Sequence, residues 1–163
     1  MKSIECAKKV VATFALTLVM LAVTGNGPVQ ANENSPACMV GKKYMELVQK
    51  ADFASVADLF APNAEFHAPT GAVFNGAAEI RNFYLNDASA LTKLVVRPQD
   101  FVGNERDCYF EIWTRSSPNE RGVYVLDPNG EFVRAAIDHF TIDDQGRIVR
   151  FVAHSSPNAN MFE

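Results

Sequence analysis

The chain is short of everything that would make it a nucleic-acid binder, a metal centre or a disulfide scaffold. Its 15 Lys and Arg are outnumbered by 19 Asp and Glu, so no basic face is left to track a phosphate backbone. Three cysteines and three histidines, with no CxxC spacing and no Cys/His cluster, exclude a disulfide-dense scaffold and give no zinc signature. No metal and no cofactor are expected. The longest apolar run is 14 residues, Val10 to Val23, short of the roughly 20 that cross a bilayer as a helix. No repeat or low-complexity tract divides the chain, and 163 residues leave no room for a second, dinucleotide-binding half. What is present, 48% hydrophobic and 21% charged residues, suits one ordinary acidic domain.

The N-terminal run has the layout of an export signal. Lys2, Lys8 and Lys9 precede it, Gly25, Gly27 and Pro28 break it, and Val29-Gln30-Ala31 offers small residues for cleavage. Residues 1–31 are therefore expected to be a signal peptide, with residues 32–163 a single domain exported to the periplasm or secreted. Removal would take away three lysines and one glutamate, leaving 12 basic and 18 acidic residues. Cys38 and Cys108 would be the remaining cysteines, in a compartment where disulfides persist. One bridge is open to them, and so is the state of two reduced, buried thiols, because spacing alone does not place their Cα atoms.

Helical periodicity comes first and alternation after it. Val40, Tyr44, Leu47, Val48, Ala51, Val56, Leu59 and Phe60 keep roughly helical spacing. Asp52 reads as a cap between two helices, and Pro62-Asn63 as the stop of the second. Ala64 to Ala68 alternates up to Pro69, with Val73-Phe74 placed to pair with it, and a third helix follows from Ala77 to about Asp87. Five segments then read as strands: Leu94–Val102, Cys108–Thr114, Gly122–Leu126, Phe132–Ile142 and Ile148–His154. Asp127–Gly130 and Asp143–Gly146 are turn sequences expected to close hairpins. Helices followed by strands predict an α+β fold, a strongly curved, cone-shaped antiparallel (mixed) sheet wrapped by three N-terminal helices. The mouth of such a cone is an apolar pocket for a small organic ligand.

The order of elements from Tyr44 to Ser155 resembles the nuclear-transport-factor-2-like (SnoaL-like) superfamily, and within it the bacterial Δ5-3-ketosteroid isomerases. Tyr44 stands eight residues before Asp52, as the family's helix-one tyrosine stands before its helix-two aspartate. Ala57-Asp58-Leu59-Phe60-Ala61 and Gly76 to Tyr84 are similar to the second and third helices. Ile137-Asp138-His139-Phe140, followed by Gly146-Arg147-Ile148-Val149, matches the penultimate strand, turn and last strand. This cone hosts many functions.

Such isomerases need a carboxylate that carries a proton across the steroid rings and donors for the dienolate oxygen. In them a tyrosine donates beside an aspartic acid held neutral by its apolar site. The resemblance assigns these oxyanion donors to Tyr44 and Asp138. Asp138 also alternates with Ala136 and Phe140, and a carboxylate on an apolar inward face is expected to have a raised pKa. The base position, immediately before the strand-ending proline, is Ala68, which takes no proton. His67 is the adjacent candidate base, but alternation turns it, with Glu65, to the opposite face.

By alternation and resemblance, Phe66, Ala68, Phe83, Phe110, Ile112, Phe140 and Phe151 line the pocket, and Tyr84 is placed to hydrogen-bond toward Tyr44. Tyr109, Glu111 and Trp113 have the outward parity, and an aromatic there suggests a homodimer through the outer sheet face. The stretch Ser116–Glu131 is about ten residues longer than the isomerases' link and reads as an added hairpin. Two functions follow: an isomerase-like acid–base catalyst on a small hydrophobic carbonyl or phenolic compound, or a non-catalytic binder of such a molecule.

Overall fold

In the computed structural model, residues 32–87, 95–156 and 159–160 are described. The expected signal peptide, and Leu94 of the expected third strand, lie outside them. Helix α1 spans Pro36–Gln49, with Pro36 in its first turn and the Ser35 hydroxyl accepting from the Cys38 N–H. That is the sequence logic of a helix start, since both residues suit a terminus with free N–H groups. Its buried stripe of Ala37, Cys38, Gly41, Tyr44, Met45 and Val48 faces the sheet. Asp52 caps α2 (Phe53–Ala57), its Oδ1 accepting from the Ser55 N–H at 3.2 Å.

The second helix does not run to Pro62, as the sequence suggests. It ends at Ala57, and strand β1 (Phe60–His67) has begun before that proline. Phe60 pairs with Ile148 and Glu65 with Arg150, with a register shift between them. Pro62 lies in the irregular stretch, where its missing N–H removes no ladder bond. Strand β2 (Val73–Asn75) folds back on β1, and α3 (Ala77–Asn82) runs into a single π turn over Phe83–Asp87.

Strands β3 (Val96–Gly103), β4 (Asp107–Pro118), β5 (Tyr124–Leu126), β6 (Glu131–Ile142), β7 (Ile148–Ser155) and β8 (Ala159–Asn160) complete the sheet. Its order is β2-β1-β7-β6-β4-β5-β8, with β3 also on β4. β1 runs parallel to β7 and β5 parallel to β8, while the other pairs are antiparallel. Irregularities in the ladder bend it, among them one in β6 and one in β3. Ile112 pairs with Ala136 but Trp113 with Arg134, so Ala135 is an extra residue in β6. In β3 the ladder shifts between Gln99 and Val102 around Asp100, which adopts φ 53°. Such bulges sharpen curvature. Three helices against a mixed, curled sheet are the expected α+β architecture.

The added segment differs from the expected hairpin. β5 pairs with the end of β4, Ser116 opposite Leu126 and Pro118 opposite Tyr124, while β6 pairs with the other side of β4, Ser116 opposite Glu131. The Asp127–Gly130 turn thus carries the chain across the end of β4 rather than joining paired neighbours. Asp127 Oδ2 accepts from the Ser117 hydroxyl at 2.6 Å, and a Cβ at Gly130 would lie 2.2 Å from the Ser116 carbonyl oxygen. Only glycine permits that crossing. The Asp143–Gly146 turn does close the β6–β7 hairpin.

Cys38 and Cys108 are joined, their Cα atoms 5.0 Å apart. The bond fastens α1 to β4 and closes a separation of 70 residues, worth about 3–5 kcal/mol in a chain-entropy picture. No helix among the described residues is long and apolar enough to cross a membrane.

Candidate functional site

Three buried polar side chains lie on the concave face of the sheet. α1 brings Tyr44 down onto Phe140 and Phe151, with ring centroids 5.0 and 5.4 Å away. The π turn brings Tyr84, whose hydroxyl lies 2.9 Å from that of Tyr44. Strand β6 supplies Asp138, opposite Phe110 on β4 and Ala153 on β7. Tyr44 is 6% exposed, Tyr84 2% and Asp138 6%.

Electrostatics follow from that burial. Asp138 is pushed up to about 8 by loss of hydration alone, so at pH 7 it is mainly a carboxylic acid with a proton to donate. Tyr44 is raised by burial first and by the Asp138 charge second, opposed by the bond to Tyr84. Tyr84 is raised by burial, then by Tyr44 and Asp138. All three therefore carry their protons at neutral pH. Such a cluster donates hydrogen bonds; it is poorly suited to abstracting a proton.

Around it stands an aromatic wall. Phe66 stacks on Phe151 at 4.7 Å and on Tyr84 at 5.9 Å, and meets Phe83 edge-on at 5.3 Å. Phe140 meets Phe151 at 4.5 Å and Phe110 at 5.3 Å. Ile112 is buried one pair further along β4, opposite Ala136, and Ala68 is buried at the end of β1. Two contributors were not singled out by the sequence. Phe74 stacks on Phe66 at 5.7 Å and Phe60 lies 6.1 Å from Tyr84. The signal for Phe74 was its pairing with Phe66 across a hairpin, since register partners share a face. Between β2 and α3 an open hollow of about 560 Å³, lined by Val73, Phe74, Ala78, Glu79 and Asn82, borders this wall.

His67 is on the other side of the sheet. Its Nε2 pairs with Glu65 Oε1, two residues back on the same face, and Arg150 lies 3.9 Å from that oxygen. The ladder is regular from Glu65 to His67, so no bulge turns the imidazole toward Tyr44. Asp138 is the buried carboxyl group among the described residues, and no cluster of three metal-ligating side chains occurs among them. The outward set is also where alternation puts it: Trp113 Nε1 donates to Glu111 Oε2 at 2.8 Å, and Tyr109 stacks on His139 at 4.0 Å.

A curled mixed sheet over three helices, with its polar cluster on the concave side, defines a nuclear-transport-factor-2-like protein. Residues 42–151 match the model of the SnoaL-like domain, and the chain belongs to that family. A comparison with curated proteins gives no match. Among solved structures it is similar to SalBIII, an epoxide hydrolase/cyclase-like enzyme of pyran ring formation in salinomycin, with a TM-score of 0.56 and 21% identity over 74% of this chain and 91% of that one. A steroid delta-isomerase from Pseudomonas aeruginosa gives 0.55 and 20% over 75% and 80%. A protein of unknown function from Cytophaga hutchinsonii gives 0.55 and 16% over 72% and 97%. These likenesses bear on the fold.

Proposed function

We propose that the protein binds a small hydrophobic molecule bearing a carbonyl or phenolic oxygen, with Tyr44 and Asp138 as the donors to that oxygen. One observation carries this reading: a buried carboxylic acid, neutral at pH 7, beside a hydrogen-bonded tyrosine pair inside an aromatic wall. A buried acid is costly unless its proton serves an acceptor. With Ala68 in the base position and His67 facing outward, no base faces the cluster among the described residues, so binding is favoured over isomerisation. Retention of both donors favours the second reading, an isomerase-like catalyst that polarises a carbonyl and draws its base from elsewhere. The disulfide supports an oxidising compartment and hence export. Outward Tyr109 and Trp113 support a homodimer through the outer sheet face.

The test is phenol affinity together with turnover. A planar phenol, mimic of a dienolate, should bind the wild type, and both Tyr44→Phe and Asp138→Ala should weaken it by about 10-fold or more, the loss of a donor in a dry site. A Δ5-3-ketosteroid should be isomerised poorly, and Ala68→Asp should raise that turnover by up to about 10²–10⁴-fold. Phenol binding that ignores both donor substitutions would overturn the donor assignment. Rapid wild-type turnover would overturn the absence of a base.

A further inference from the structure

The outer face of the sheet changes character toward the added segment. In one cross-strand row Arg97 on β3 lies opposite Trp113 on β4, and Trp113 opposite Arg134 on β6. In the next row Arg115 lies opposite Phe132. Paired residues share a face, so three guanidiniums and two aromatic rings occupy adjacent rows. The guanidinium carbons of Arg97 and Arg115 stand 4.4 and 4.8 Å from the centre of the Phe132 ring. They are therefore no further apart than those two distances together.

These two arginines differ from the others in their partners. Arg81, Arg106, Arg134, Arg147 and Arg150 each have a carboxylate oxygen within ion-pair distance. Arg97 and Arg115 have none among the described residues, and neutral groups hold them instead. Arg115 Nη1 donates to the Gly130 carbonyl at 2.9 Å. Arg97 donates from Nε and Nη2 to the Gln99 side-chain oxygen at 3.1 and 3.2 Å, with the amide turned to offer it. Ring, carbonyl and amide thus fix both forks and leave their charge uncompensated. The neighbouring carboxylates are committed elsewhere. Glu111 accepts from Arg134 and from Trp113 Nε1, and Asp127 from the Ser117 hydroxyl and the Asn129 N–H. Even with both counted, the three guanidiniums leave this patch positive by one charge in a chain of formal charge -4.

We infer that Arg97, Arg115 and Phe132 form a binding site for one small dianionic oxyanion, a free phosphate or a phosphate monoester. Each guanidinium offers a planar fork that pairs with two oxygens. A carboxylate has only two oxygens and is satisfied by one fork. A tetrahedral oxyanion has enough for both, and its two charges match the two cations. Forks fixed beforehand also spare the side-chain ordering that binding otherwise costs. An anionic membrane or a polyanion fits less well, because the acidic remainder of the chain repels an extended negative surface. The site lies on the face opposite Asp138 and stands or falls without the donor assignment made there. The Trp113 indole leans toward Glu111, away from the Phe132 row, so a contact through Tyr109 and Trp113 leaves the forks open.

Trp113 is the one tryptophan of the chain and stands in the adjoining row, so its emission reads the site. Inorganic phosphate, sulfate and glycerol 3-phosphate, titrated into the purified full chain at pH 8 and constant ionic strength, should each give a saturable change in the millimolar range or tighter. Acetate should give none. Tighter binding of glycerol 3-phosphate than of phosphate assigns a monoester, and the reverse assigns the free anion. Arg97→Gln and Arg115→Gln should each weaken binding at least about fivefold. Arg97→Lys should weaken it too, because an ammonium lacks the fork. Arg121→Gln, at an exposed arginine in the turn before β5, should leave it unchanged, and all variants should keep the far-ultraviolet circular dichroism of the wild type. Failure of all three anions to saturate, confirmed by calorimetric titration, would overturn the site. An equal loss in Arg121→Gln would do so as well, since it marks diffuse attraction. Capture by phosphatidylglycerol vesicles without binding of inorganic phosphate would replace the small anion with a membrane surface.

Discussion

The two faces of the sheet are built from alternate residues of the same strands and obey opposite electrostatic rules. Phe66 and Phe151 lie inside, and their chain neighbours His67 and Val152 outside. Asp138 and Phe140 point inward, His139 between them outward. On the concave side loss of water pushes the Asp138 carboxyl up to about 8. On the convex side the hydrogen bond from His67 holds Glu65 below the ordinary range, and Arg134 and Trp113 do the same for Glu111. One face stores a proton and the other holds ionised carboxylates against cations. Position relative to the pleat, rather than sequence neighbourhood, decides the chemistry.

The largest expected contrast is between adjacent residues of β7. Phe151 is 2% exposed and its ring packs on Tyr44, Phe60, Phe66 and Phe140. Phe151→Ala should cost about 3–5 kcal/mol, combining lost transfer energy with the cavity left behind. Val152→Ala, on the outer face, should cost less than about 1 kcal/mol. Urea unfolding of both variants checks this. Equal costs would mean that the outer face is as tightly packed as the inner one.

Alternation is also why so much of this contrast was legible in the sequence. Period-two patterning separated Phe110 and Ile112 from Tyr109, Glu111 and Trp113, and a capping aspartate marked the start of α2. The apolar neighbours of Asp138 announced its raised pKa. What stayed hidden depends on pairing rather than on local pattern. Pro62 reads as a helix stop until the register shift beside it shows that no ladder bond is required there. The Asp127–Gly130 turn has hairpin residues, yet β5 and β6 flank β4 on opposite sides, a choice made by Ser116 and Ser117 at a distance in sequence. The bond between Cys38 and Cys108 likewise needed the docking of α1 on β4. The Tyr44–Tyr84 contact, 40 residues apart, followed from resemblance and not from either residue's surroundings in the chain.

A smaller contrast should appear as pH changes. The folded protein keeps the Asp138 proton to about pH 8, whereas an unfolded aspartate loses it near 3.9. Unfolding therefore releases a proton between those limits, and stability declines as pH rises from about 4 to about 8. Asp138→Asn removes the titration and keeps the shape. Relative to that variant, the wild type should lose on the order of 3 kcal/mol between pH 5 and pH 9, below the ceiling of about 1.4 kcal/mol per pH unit. Urea midpoints at pH 5, 7 and 9 measure the difference. A constant difference would show that water reaches Asp138 freely in the folded state.

The outer carboxylates should do the reverse, and weakly. Glu65 and Glu111 have folded values lowered by their partners, so their contribution is present above the unfolded value near 4.3 and vanishes as pH falls through the lower folded one. Both pairs are open to solvent, Glu65 with its side chain 44% exposed, where exchange with water leaves little net gain. Glu65→Gln and Glu111→Gln together should therefore flatten the acid limb of the stability profile below about pH 4.5 and leave the profile from pH 5 to 9 as it is in the wild type. Thermal unfolding across pH 3 to 9 reads this directly. Should the acid limb stay as steep in the double variant, the bonds from His67, Arg134 and Trp113 would not be what holds these carboxylates ionised on the outer face.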